Sequence, residues 1–136
     1  MTALRVFRTR TFTRWMDRAG LTDEDLGQAA TEMAEGLIDA DLGRHVVKKR
    51  VALAGRGKRG GARTIVATNL EDRWFFLFGF VKNERAHINR DELKFFQEVA
   101  KDFLELTDPQ LQVAILAGEI TEVPNGDRKA QEPHPG

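Results

Sequence analysis

The 136-residue chain has no cysteine and no tyrosine. Without thiols there is no disulfide, no cysteine nucleophile and no thiolate zinc site. Without a phenol, any proton transfer falls to other groups. No apolar run approaches the roughly 18 residues of a membrane span, and the opening MTALRVFRTRTF lacks the apolar core of a secretory signal. A cytoplasmic protein is therefore expected, with no membrane partner. Proline is scarce, and three of the four prolines fall at or after Pro124. From there the only apolar residue is Ala130, so 124–136 reads as a flexible Pro-rich tail on a single domain spanning 1–123. His45, His87 and His134 lack ligand-like spacing, so no metal or other cofactor is expected.

Net charge is also absent, because 21 Lys and Arg balance 21 Asp and Glu. The charges are nevertheless sorted along the chain. Residues 1–20 carry five Arg and one Asp, 21–43 carry seven acids and no base, and 44–63 carry eight bases and no acid. Residues 91–136 return ten acids against four bases. Such blocks predict one concentrated positive surface on an otherwise acidic body, suited to a polyanion.

Local signals supply the scaffold. Leu4 to Phe7 is a short strand, followed by Phe12, Trp15, Met16 and Ala19 at helical spacing and a stop at Gly20. Thr22 caps a second helix carrying Leu26, Ala29, Ala30, Met33 and Leu37 on one stripe. HVVKKRVAL, ARTIVATN and RWFFLFGFV are three β-rich runs with short connections, which predicts an antiparallel meander. Asn89 caps a helix through Leu106, and Asp108 with Pro109 starts a shorter one. ITEV offers an edge strand. The order predicts an α+β domain, a small antiparallel sheet with its helices, extra C-terminal ones included, on one face and the other face partly open.

Alternation places Lys48 and Arg50 on the open side, with Val47, Val51 and Leu53 on the covered side and Lys49 as a misfit. Arg56, Lys58 and Arg59 in the loop AGRGKRGG, then Arg63, bring further cations to the same surface. A basic hairpin is commonly plain solvated surface, so this pattern alone leaves nucleic-acid binding and a bland surface both open. GRGKRGG lacks the G-x-x-x-x-G-K-[ST] pattern and joins two strands, which excludes a Walker loop. The aromatics Trp74 to Phe80 read as core, with Phe80 alone near enough to the strand end for base stacking.

The basic strand VKKR, the loop GRGKRGG leading into Ala62-Arg63, the aromatic strand and the segment KNER together resemble the RelE/HigB superfamily of type II toxins, closest to its HigB-like RelE branch. The resemblance spans roughly Leu4 to Leu106 and is most specific from Lys48 to Arg85. It implies an endoribonuclease (mRNA interferase) that cuts mRNA on the ribosome, without metal, through the RNA 2′-hydroxyl. It also implies a cognate antitoxin, expected to be a helix-turn-helix protein, as partner. Carried over by position, Lys48, Arg50, Arg63, Lys82 and Arg85 are the catalytic set. Lys49, Arg56, Lys58, Arg59, Phe80, Asn83 and His87 are the RNA contacts. Asn83 stands where relatives have a second catalytic arginine, and the tyrosine many relatives use is missing. His87, Glu84 or a lysine of lowered pKa is left as general base. Two alternatives share the scaffold: a ParE-like gyrase inhibitor, and a catalytically inactive binding module.

Overall fold

The computed structural model describes residues 4–53 and 57–124, with backbone only over 57–60. The elements are β1 (Arg5–Thr9), α1 (Arg10–Ala19), α2 (Asp23–Ala34), β2 (Ala40–Gly43), β3 (Val46–Leu53), β4 (Gly57–Thr68), β5 (Arg73–Val81), α3 (Arg90–Leu104), α4 (Asp108–Leu116) and β6 (Ile120–Val123). They form an α+β fold whose six-stranded sheet has the order β2-β3-β4-β5-β1-β6. The β3-β4-β5 meander is antiparallel as predicted, and β6 is the antiparallel edge strand beside β1. One pair is parallel, β1 with β5. The four-residue strand β2, on the other edge, carries no β-branched residue and is not foreseen by the sequence reading.

Helix ends follow local chemistry. Thr9, Thr22, Asn89 and Thr107 each accept a backbone N–H with their side chains, and the last three complete capping boxes. The cap of α4 is thus Thr107 rather than Asp108, which sits inside the first turn. Helix α2 ends at Ala34, so Leu37 falls outside it and is exposed.

The expectation of helices on one face is corrected by two separate cores. Phe12, Met16, Leu26, Ala30 and Met33 from α1 and α2 pack on Val6, Val47, Val66, Trp74 and Phe76. On the opposite face, Phe96, Ala100, Leu111 and Ala114 from α3 and α4 pack on Phe7, Ile65, Phe75 and Phe80. Strands β1, β4 and β5 carry large apolar residues at both parities, so each face has to be covered. A stack of Phe7, Phe75 and Phe103, with centroids 4.7 and 4.9 Å apart, ties β1, β5 and α3 together.

A bulge in β5 determines what the α3 face displays. Ile65 pairs with Phe78 but Val66 pairs with Phe76, leaving Leu77 as the extra residue. Strict alternation from Trp74 would send Phe76, Phe78 and Phe80 to one face. The bulge instead turns Phe78 and Phe80 toward α3 and points Gly79 and Val81 at α1.

Candidate functional site

Pairing of the three central strands builds a row across the sheet. Arg50 of β3 stands opposite Arg63 of β4, which stands opposite Phe80 of β5. In the next row on the same face, Lys48 pairs with Ile65, which pairs with Phe78. Lys48, Arg50 and Arg63 therefore share one face, as their spacing predicts. It is the α3 face, and it is less open than expected: Arg63 is only 8% exposed. Its Nη1 is buried with no hydrogen-bond partner among the described residues. A guanidinium has five donors, and a buried donor left unmet costs about 1–3 kcal/mol. Arg63 thus presents an unmet demand for an acceptor.

Its neighbours are already engaged. Arg50 Nε lies 3.5 Å from Asp39 Oδ1, and Asp39 also accepts the Arg50 backbone N–H. Arg85 makes a two-pronged pair with Glu92, one arm being Nη1 to Oε2 at 3.0 Å and the other Nη2 to Oε1. Its guanidinium lies 5.6 Å from the ring centroids of both Phe78 and Phe80. Glu92 is also the third residue of α3 and accepts the Asn89 N–H at 2.8 Å, so one carboxylate holds the helix start and the arginine together. The hydrogen bond from Arg85, then that from the Asn89 backbone, holds the Glu92 carboxyl below the usual carboxylate range, and the same pairing raises Arg85.

Two predicted RNA contacts are corrected. Lys49 is 3% exposed and lies on the α2 side, its Nζ 2.8 Å from Glu32 Oε1 and 2.9 Å from the Leu37 carbonyl. As the misfit of the alternation, it is a buried cation that must be paired, and α2 supplies the partner. Phe80 is 2% exposed, so its ring is a core support for Arg85 and not a free stacking surface. Lys82, Asn83 and His87 are exposed in the segment after β5, where the Glu84 N–H donates to the Val81 carbonyl at 3.0 Å. Arg85 Nε donates to the His87 carbonyl at 3.2 Å, anchoring that backbone on the α3 side. Arg56 and the side chains of Lys58 and Arg59 lie outside the described residues.

The sorted charge blocks also behave differently from the single positive surface expected. The acidic block reaches into the basic ones through Asp23 with Arg8 at 3.0 Å, Glu32 with Lys49 and Asp39 with Arg50. At the far edge, Glu122 pairs with Arg5 at 2.9 Å. Charge separated along the chain is recombined by folding. The sequence reading missed Asp39 and Glu92 as braces. Glu92 was accessible to it, because an Asn followed three residues later by Glu is a capping-box pattern. Asp39 had no such signal, since it acts from a strand edge that the sequence does not announce.

Lys48 on the same face as a buried guanidinium with one unmet donor suits an anion with several oxygens, such as a phosphodiester. No curated protein matches the chain significantly. The family model described as RelE toxin of RelE / RelB toxin-antitoxin system matches residues 4–123. With that match covering nearly the whole described chain, on an α+β scaffold of this kind, the protein belongs to the RelE toxin family.

Proposed function

We propose that this toxin-family protein is a ribosome-dependent mRNA endoribonuclease, acting in the cytoplasm and neutralised by a cognate antitoxin. The single observation that carries this reading is Arg63, buried at the centre of the Arg50–Arg63–Phe80 row with Nη1 unpartnered among the described residues. The RNA's own 2′-hydroxyl gives its proton to a base and attacks the adjacent phosphorus, the bond to the 5′-oxygen breaks as that oxygen takes a proton, and negative charge builds meanwhile on the equatorial oxygens. Arg63 meets those oxygens with its planar fork, which remains charged throughout. Lys48 and Lys82 supply further positive charge, while Arg50 and Arg85 are held at the flanks by Asp39 and Glu92. His87 is the better candidate for proton transfer. Its backbone is tied to Arg85 on the α3 side, whereas Glu84 lines a cavity on the α1 side.

The engagement of Arg50 and Arg85 by carboxylates favours a second reading, a binding module without catalysis. Incubating the purified protein with ribosomes programmed with a defined message separates the two. Cleavage within the message that Arg63→Ala abolishes supports the nuclease. Intact message with undiminished ribosome binding supports the module, and intact message with inhibited gyrase supercoiling overturns both.

A further inference from the structure

On the face away from Arg63, a cavity of about 450 Å³ opens where the end of α1 meets the ends of β3 and β5 and the turn after β5. Its lining includes Trp15 and Arg18 from α1, Leu53 and Val81 from the strands, and Asn83 and Glu84 from the turn. We infer that this cavity is a nucleobase subsite, taking a base that carries an exocyclic amino group. The inference rests on the RNA-cleavage reading for its place in the mechanism, but not for its binding chemistry.

Trp15 provides a fixed aromatic wall. Its six-membered ring lies so close to Gly79 that a Cβ there would come within 2.3 Å of it, and Phe12 flanks it at 5.5 Å. Leu53 and Val81 add aliphatic surface, so a planar, partly apolar group is favoured over a free phosphate. The side chains of Arg18, Asn83 and Glu84 have no hydrogen-bond or ion-pair partner among the described residues, and the Glu84 carboxylate would repel a second anion. A carboxylate accepts only, so it selects a base edge rich in N–H donors. Cytosine, adenine and guanine offer an amino group, whereas uracil offers one imino N–H between two carbonyls. Arg18 is then free for the sugar-phosphate. The position is also apt: Phe80 stands opposite Arg63, and the next residue, Val81, already faces the cavity. The two sites lie on opposite sides of one sheet end. A strand whose phosphate rests on Arg63 reaches the cavity by passing over the Lys82–Asn83 turn.

The two tryptophans allow a direct test, because Trp74 is fully buried and Trp15 is not. Full-length protein is titrated with CMP, AMP, GMP and UMP while tryptophan fluorescence is followed. Quenching by the first three is expected, with UMP roughly 10- to 100-fold weaker, the worth of one hydrogen bond to a charged group. Trp15→Phe should abolish the signal, and Glu84→Gln, whose amide both donates and accepts, should erase the preference against UMP. No quenching, equal quenching by UMP, or an unchanged preference in Glu84→Gln overturns the inference. So does quenching of Trp15 by the purified antitoxin with no response to any nucleotide, which would make the cavity a protein interface. If nucleotides bind selectively but ribosome-bound message stays intact, the nuclease reading fails while the subsite stands. Message cut without any nucleotide response gives the reverse.

Discussion

Arg50 and Arg63 stand directly opposite one another across β3 and β4, yet among the described residues only Arg50 has a carboxylate, that of Asp39. Two guanidinium groups in one register position repel, and pairing one of them leaves the other as the locus of unmet charge. The asymmetry assigns different roles to two residues of the same type.

Arg63→Ala should lose about 10²–10³ in single-turnover cleavage of ribosome-bound message, comparable with removing one oxyanion donor. Arg63→Lys should recover part of that, since an ammonium cannot make the forked contact. Because the native guanidinium is buried with an unmet nitrogen, Arg63→Met should be as stable as the wild type or more so in urea. Cleavage by folded Arg63→Ala at the wild-type rate would place the clamp elsewhere.

Lys49 should behave as a structural residue. Lys49→Ala removes a buried stem and its ion pair, while Glu32 keeps the Gln28 amide at 3.2 Å, so it should destabilise by about 2–5 kcal/mol in equilibrium denaturation. Lys49→Met, which keeps the stem packing, should lose less. If either variant folds at wild-type stability but binds RNA more weakly, the buried pairing with Glu32 is not its role.

Glu92 gives a pH signature. Its folded-state pKa is depressed, so its contribution to stability is complete above the ordinary carboxylate range and is lost as pH falls through the lowered value. Glu92→Gln retains a cap for the Asn89 N–H but loses the charge that holds Arg85. The gap in Tm between wild type and Glu92→Gln should be widest near neutral pH and close in acid. A gap independent of pH would mean that the Arg85 pairing adds nothing.

The β2–β3 hairpin turns through Arg44 and His45, with φ of 51° and 71°. These left-handed positions suit Asn and Gly, and bulky residues there cost on the order of 1–3 kcal/mol each. Replacing both, Arg44→Asn with His45→Gly, should raise stability by about 1–2 kcal/mol. An unchanged or lower melting temperature would show that the exposed side chains contribute more than their backbone strain costs.

Much of this protein is written locally. The period of α1, the caps at Thr22 and Asn89 and the three β-rich runs depend on residues a few positions apart, and the placing of Lys48, Arg50 and Arg63 on one face follows from the two-residue strand period and the hairpin register. The family was likewise readable, because its motifs are short and contiguous. What the sequence left undetermined depends on partners far apart along the chain. The expected RNA contact Lys49 is instead buried, because α2 brings Glu32 to it, and the face expected to be partly open is covered, because α3 folds across it. The aromatic strand shows the limit most clearly. Nothing in RWFFLFGFV marks Leu77 as the extra residue, since Leu at that position suits either register. Only packing on both faces at once, with Trp15 requiring Gly79 and Arg85 resting on Phe78 and Phe80, decides where the strand slips and therefore which side chains surround Arg63.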